Sequence, residues 1–133
     1  MAASVMAGDS TEQESLTTDS PFTYIRIAEG GSSHEHHARL RTGTVAELLR
    51  RAVGGWLEST PISTPGLSVW CDEDGPATGR APNPVAGLLV ARLGGGRLPL
   101  VGPVVVTGRR ADTPVSLTAA QVDAVLAALA HCR

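Results

Sequence analysis

The spacing of apolar positions along this chain changes between a period of two and a helical period. These changes predict where its strands and helices lie. From Phe22 the segment FTYIRIA alternates with a period of two, and HEHHARLRTG alternates again after a Gly-rich link. Two adjoining segments of this kind predict an antiparallel hairpin that is buried on one face. The β-branched segments GLSVWC and LVGPVVVTG predict a third and a fourth strand.

A helical period follows the hairpin. Apolar residues recur at i, i+3, i+4 and i+7 spacing over Val45–Glu58, which predicts an amphipathic helix. Thr44 and Glu47 have the spacing of a capping box at its start. Gly54 and Gly55 fall inside the same pattern, where each is unfavourable for a helix. Either the helix weakens at these glycines, or another backbone packs closely against them.

Two further helices complete the pattern. Asn83 followed by Pro84 predicts an N-cap and a first helical residue, and Thr118 with Gln121 predicts a second capping box. The predicted order is therefore ββαβαβα. We expect a small α+β domain, with a mixed sheet of about four strands and helices on one face of it. A β-grasp-like or split-βαβ arrangement would fit this order.

Composition divides the chain into two parts. Residues 1–21 hold four acidic and no basic residues and are rich in Ser and Thr, so they are predicted to be a disordered acidic tail. Residues 22–133 are predicted to form a single α+β domain. The net charge is −2 and aromatic residues are few, so a nucleic-acid partner is unlikely. All eleven basic residues are Arg, which we interpret as a compositional bias and not as a sign of phosphate binding. No signal-peptide or membrane-spanning pattern is visible, so we expect a cytoplasmic protein with no membrane partner.

The segment CDEDG, residues 71–75, raises the question of a metal or thiol site. Asp72 and Asp74 place carboxylate oxygens at alternating positions, as the start of a calcium-binding loop does. The other ligands and the closing Glu of such a loop are missing. Acidic neighbours also oppose formation of a Cys71 thiolate. We therefore expect CDEDG to be a turn between a strand and a helix, with Cys71 buried.

The segment HEHH is the other candidate metal site. His34 and His36 lie two residues apart, so they share one face of the predicted strand. A zinc site needs three or four protein ligands, and no second His cluster or Cys-x-x-Cys pair supplies the others. We interpret HEHH as a solvated strand end, and we predict no cofactor. A metal-dependent hydrolase is the third-ranked interpretation of the chain.

Five segments, taken in order, resemble the domain of unknown function numbered 3846, seen in actinobacteria and in bacterial viruses. They are TYIRIAEGG, LLRRAVGGWLE, LSVWCDEDG, GRAPNPVAGLL and VGPVVVTG, and they cover roughly residues 22 to 110. The resembling segments contain Gly54, Gly55, Glu58, Arg80 and Asn83. The chain has Gly87 where a Thr is expected. The resemblance implies a phage or mobile-element context and no particular chemistry.

The functional hypothesis is a non-enzymatic binding module that acts through a protein partner. Trp56, Trp70 and the paired glycines are the candidate partner surface, because aromatic residues dominate many interfaces. The alternative is a small-ligand, nucleotide-like binder that uses Arg80 and the predicted helix start at Asn83. The sequence contains no P-loop and no nucleophile motif that would favour an enzyme.

Overall fold

A computed structural model describes residues 21–40, 43–96 and 99–133. Nearly all of the predicted acidic tail, residues 1–21, lies outside these ranges. Within them the chain forms six strands and three helices, in the order ββαββαββα. They are β1 (Phe22–Ile27), β2 (Ser33–Ala38), α1 (Val45–Val53), β3 (Leu57–Thr60), β4 (Leu67–Asp72), α2 (Pro84–Arg92), β5 (Val104–Arg110), β6 (Thr113–Val115) and α3 (Ala119–Ala130).

The strands form one sheet in the order β2-β1-β5-β4-β3, and β6 pairs with β5. All of these pairs are antiparallel, so the predicted mixed sheet of about four strands is corrected to an antiparallel sheet of six. The pattern missed two short strands. Leu57 in β3 continues the apolar spacing of the preceding helix, and β6 has only three residues, one of which is Pro114.

Helices cover both faces of the sheet, whereas the sequence predicted them on one. Helix α1 packs on the face that carries Phe22, Tyr24 and Val105. Helices α2 and α3 pack on the opposite face, where the core includes Ile25 and Ile27. The reason is visible in β1, which presents apolar side chains on both faces and so can be covered from both sides.

Helix α1 is shorter than predicted. It ends at Val53 rather than Glu58, because Gly54 adopts a left-handed conformation with φ of 80° and its N–H bonds to the Arg50 carbonyl at 2.8 Å. The start is as predicted: the Thr44 and Glu47 side chains each bond the other's backbone N–H. The double glycine therefore ends the helix instead of weakening its middle.

The other predicted helix starts are confirmed. Asn83 caps α2 with Pro84 as its first residue, and Thr118 and Gln121 form the capping box of α3. The longest helix, α3, has 12 residues. None of the helices in the described ranges has the length and hydropathy of a bilayer-spanning segment.

Replacing Leu49 with Ala should lower the free energy of unfolding by about 2–5 kcal/mol, because Leu49 is fully buried between α1 and the sheet. Chemical denaturation measures the change. Leu88→Ala is the matched control: Leu88 is 52 % exposed on α2, and its truncation should cost well under about 1 kcal/mol. Equal losses in the two variants would contradict the placement of Leu49 in the core.

Candidate functional site

The turn after β4 contains an ion pair whose acid is buried. Asp72 is 5 % exposed, and its Oδ2 lies 3.2 Å from Nε of Arg80. Asp72 Oδ1 also accepts a hydrogen bond of 3.0 Å from the N–H of Asp74, and the Asp72 carbonyl accepts one of 3.1 Å from Gly75. CDEDG is therefore a turn, as predicted. The fold adds what the pattern did not show, namely that its first Asp is held by an arginine eight residues further along the chain.

The same ion pair packs against the end of helix α1. Nη2 of Arg80 donates to the carbonyl of Gly54, which is one of the free acceptors at the helix C-terminus. A methyl group on Gly54 would come within 2.6 Å of Arg80 Nη2, and one on Gly55 would overlap the Asp72 carboxylate. A side chain at either glycine would therefore displace the end of the Arg80 or the Asp72 side chain from this ion pair. The approaching groups are side chains from the β4–α2 connection, and not a second backbone.

Trp56 follows these two glycines in the chain and faces solvent. It is 63 % exposed, the most exposed of the large hydrophobic side chains in the described residues. The guanidinium carbon of Arg50 lies 5.3 Å from the centroid of its ring, which is a cation–π geometry. An open groove runs beside the ring along the outer face of α1 and is lined by Gly43, Glu47, Arg50, Arg51, Gly54, Gly55 and Trp56.

Glu58 and Cys71 lie opposite each other on β3 and β4. The Cys71 sulfur is buried, 3.6 Å from both the Thr60 hydroxyl and the Glu58 carbonyl oxygen. Burial raises the pKa of the Cys71 thiol, and the charges of Glu58 and Asp72 raise that pKa further, against a lowering by the bond with Thr60. The thiol is therefore protonated at neutral pH, as expected of a buried structural cysteine.

Two predicted surface residues are part of the interior instead. Trp70 is half-buried against the α1 core, and its indole N–H donates to Thr107 Oγ1 at 3.0 Å. Asn83 is fully buried. Its side-chain N–H₂ donates to the carbonyls of Ile27 at 3.1 Å and Gly102 at 2.9 Å, while its Oδ1 accepts from the N–H of Ala86. Asn83 therefore presents no exposed atom to a ligand.

The histidines of β2 make aromatic contacts. His36 stacks on Tyr24 with ring centroids 4.9 Å apart, and the His34 ring lies edge-on to His36 at 6.4 Å. Asp74, the remaining candidate ligand, is exposed on the turn. The part of the chain that the structure describes contains no group of three or more His, Cys, Asp or Glu side chains that could hold a metal ion.

Comparison with known proteins decides the family. The family model described as "Domain of unknown function (DUF3846)" matches residues 23–130. The chain belongs to this family. No curated protein and no solved structure matches it. The match runs from the second residue of β1 to the end of α3, so both the ion pair and the Trp56 groove lie within the DUF3846 domain.

Sequence reasoning on this DUF3846 domain selected Gly54, Gly55, Trp56 and Arg80, and the structure brings these four residues together. It missed Arg50, which is the cation over Trp56. The signal was present, because Arg50 starts the last turn of α1 and Trp56 follows the glycines that end the helix. Recognising that Gly54 ends the helix would have placed Trp56 beside that last turn.

Proposed function

We propose that this DUF3846 domain is a non-enzymatic binding module that acts through a protein partner, in a phage or mobile-element context. The observation that carries the proposal is the exposed Trp56 ring with Arg50 stacked over it. Trp and Arg are the residues most enriched among those that dominate binding energy at protein interfaces. A tryptophan this exposed gains from being covered, because its large apolar area is otherwise in water.

The surroundings of Trp56 favour a preformed surface. Arg80, paired with Asp72, donates a hydrogen bond to the Gly54 carbonyl at the end of α1. The N–H of Glu73 donates to the Trp56 carbonyl at 2.8 Å. Little ordering of this backbone is then needed on binding, which reduces the entropy cost of association. The groove beside Trp56 carries Arg50 and Arg51, so it suits a partner segment with an apolar anchor and acidic neighbours.

A small nucleotide-like ligand is the second candidate, and one feature of the groove favours it. An aromatic base can stack on the Trp56 ring, and Arg51 can hold a phosphate in the same groove. The ligand site predicted at the start of α2 has no such support. Asn83 is fully buried there, and its amide N–H₂ and Oδ1 are bonded within the domain.

The test compares the full chain with Trp56→Ala. The wild-type protein, immobilised and exposed to a lysate of its host, should enrich a specific protein, which is then purified and titrated directly. Trp56→Ala should weaken that binding by about ten-fold or more, while melting within a few degrees of the wild type because the ring is exposed. Leu88→Ala removes another exposed apolar side chain, 52 % exposed, from the helix on the other face of the sheet and should bind like the wild type.

Three results would contradict the proposal as stated, with Trp56 at the centre of the partner surface. Unchanged affinity in Trp56→Ala would place the partner elsewhere on the domain. Equal losses in both variants would indicate non-specific apolar adhesion. A rise in melting temperature with nucleotides in the wild type, absent in Trp56→Ala, would instead support the small-ligand candidate.

A further inference from the structure

Four basic side chains, those of Arg26, His34, His36 and Arg51, lie near Tyr24 on the side of the sheet that carries α1. In the β1–β2 register, Tyr24 lies opposite His36 and Arg26 lies opposite His34, so Tyr24 and these three basic side chains project from the same face. Arg51 lies on the last turn of α1, next to Ala52, whose carbonyl accepts a hydrogen bond from Arg26. His34 and Arg51 are exposed and Arg26 and His36 are partly exposed, whereas Tyr24 is 7 % exposed.

The arginines of this cluster retain donors for a ligand. Nε of Arg26 donates to the Ala52 carbonyl at 2.9 Å, which fixes the guanidinium against the end of α1. Its two terminal nitrogens make no hydrogen bond within the described residues. The ion pairs there join Glu35 to His37 and Asp72 to Arg80, so neither Arg26 nor Arg51 is paired with a carboxylate in those ranges.

The charges that act on His36 are all positive. Its pKa is lowered first by partial burial, and then by the positive charges of His34, Arg26 and His37. Glu35, the nearest acid along the strand, projects from the opposite face. Glu47, the acid of α1, lies one helical turn before Arg51, and its carboxylate accepts a hydrogen bond of 2.9 Å from the Thr44 N–H. Within the described residues, neither arginine of the cluster is within ion-pair distance of a carboxylate.

We propose that the cluster of Tyr24, Arg26, His34, His36 and Arg51 binds a tetrahedral oxyanion, the phosphate group of a small molecule. A phosphate has several acceptor oxygens, which match the planar fork of an arginine, a tyrosine hydroxyl and imidazole N–H groups that arrive from different directions. This site is on β1 and β2 and shares only Arg51 with the Trp56 groove. It stands whether or not the groove binds a protein.

The proposal requires a defined dependence on pH. An anion bound beside His36 favours its protonated form, and by linkage the protonated form favours the anion. Because the pKa of free His36 is lowered, the site gains this charge only as the pH falls below the usual range of histidine. Affinity for an oxyanion of constant charge should therefore rise as the solution becomes acidic.

Sulfate is the first probe, since it stays a dianion across the range in which histidine titrates. The full chain is titrated with sodium sulfate, balanced with sodium chloride to constant ionic strength, while the histidine ring signals are followed by NMR. We expect saturable shifts of the His34 and His36 signals, and binding at about pH 5.5 that is about five-fold tighter than at pH 8. Inorganic phosphate at about pH 7 should displace sulfate from the same signals.

Variants separate the site from general charge screening. Arg51→Met should weaken sulfate binding about five-fold or more, while Arg92→Met, an exposed arginine on α2 across the sheet, should leave it unchanged. His36→Gln should remove most of the pH dependence. Shifts that are linear in sulfate, or equal in Arg51→Met and Arg92→Met, would overturn the proposal. So would a large gain in affinity on neutralising the four acids of residues 1–20, since those carboxylates would then be the occupants.

Discussion

Replacing Asn83 with Ala should lower the free energy of unfolding by about 3–5 kcal/mol. Loss of an N-cap alone would cost about 0.5–2 kcal/mol. The larger figure follows from the amide N–H₂ group, which donates to two buried carbonyls, Ile27 at the end of β1 and Gly102 just before β5. Removing the donor leaves both carbonyls without this partner inside the core, at about 1–3 kcal/mol each.

Asn83→Asp distinguishes the two explanations. Asp caps a helix as well as Asn does, so a residue that acts only as a cap would tolerate the change. An Asp has no amide donor, however, and would place a carboxylate oxygen against the Ile27 and Gly102 carbonyls. We therefore expect Asn83→Asp to be at least as destabilising as Asn83→Ala in urea denaturation. If Asn83→Asp unfolded at the same urea concentration as the wild type, capping would account for the whole contribution of Asn83 to stability.

Arg80→Met should also destabilise the domain strongly, by about 3–5 kcal/mol, because it leaves the buried Asp72 carboxylate without its counter-ion. The substitution also removes the hydrogen bond to the Gly54 carbonyl at the end of α1. Thermal and urea denaturation at neutral pH measure the loss. The change should reach Trp56 as well, since the Arg80 side chain holds the backbone from which that ring projects.

Two comparisons make the Arg80 result interpretable. Asp74→Asn changes an exposed acid of the same turn and should scarcely alter stability, whereas Asp72→Asn should be clearly destabilising. The double variant of Asp72→Asn with Arg80→Met should lose less than the sum of the single losses, since neither charge is then left unpaired. Strictly additive losses would mean that the two side chains act independently and that the ion pair contributes nothing.

Features held by hydrogen bonds between residues that are close in the chain were predictable from the sequence. Both capping boxes, the start of α2 at Asn83 and Pro84, and the turn at CDEDG are confirmed. Each depends on a side chain that bonds a backbone group two or three positions away, so the residue types and their spacing are sufficient. The burial of Cys71 was predictable from a different local signal, the period of two along β4, which places Cys71 on the same face as Leu67 and Val69.

The candidate sites were predictable only in part. Gly54, Gly55, Trp56 and Arg80 were singled out, but their roles depend on contacts between segments 26 residues apart in the chain. The buried amide of Asn83 meets a carbonyl 56 residues away. Such pairings carry no local signature, because a lone Arg or Asn looks the same whether it is solvated or bonded inside the domain.

The sequence by itself determined where most elements begin, which of their positions are apolar and what kind of domain they form. The tertiary structure alone decided that the sheet is antiparallel throughout and that helices cover both of its faces. A period of two assigns side chains to alternate faces of a strand, but it does not say which neighbour each edge will bond or which helix will cover each face. Those choices minimise exposed apolar area over the whole chain at once, so they are settled only when all the elements pack together.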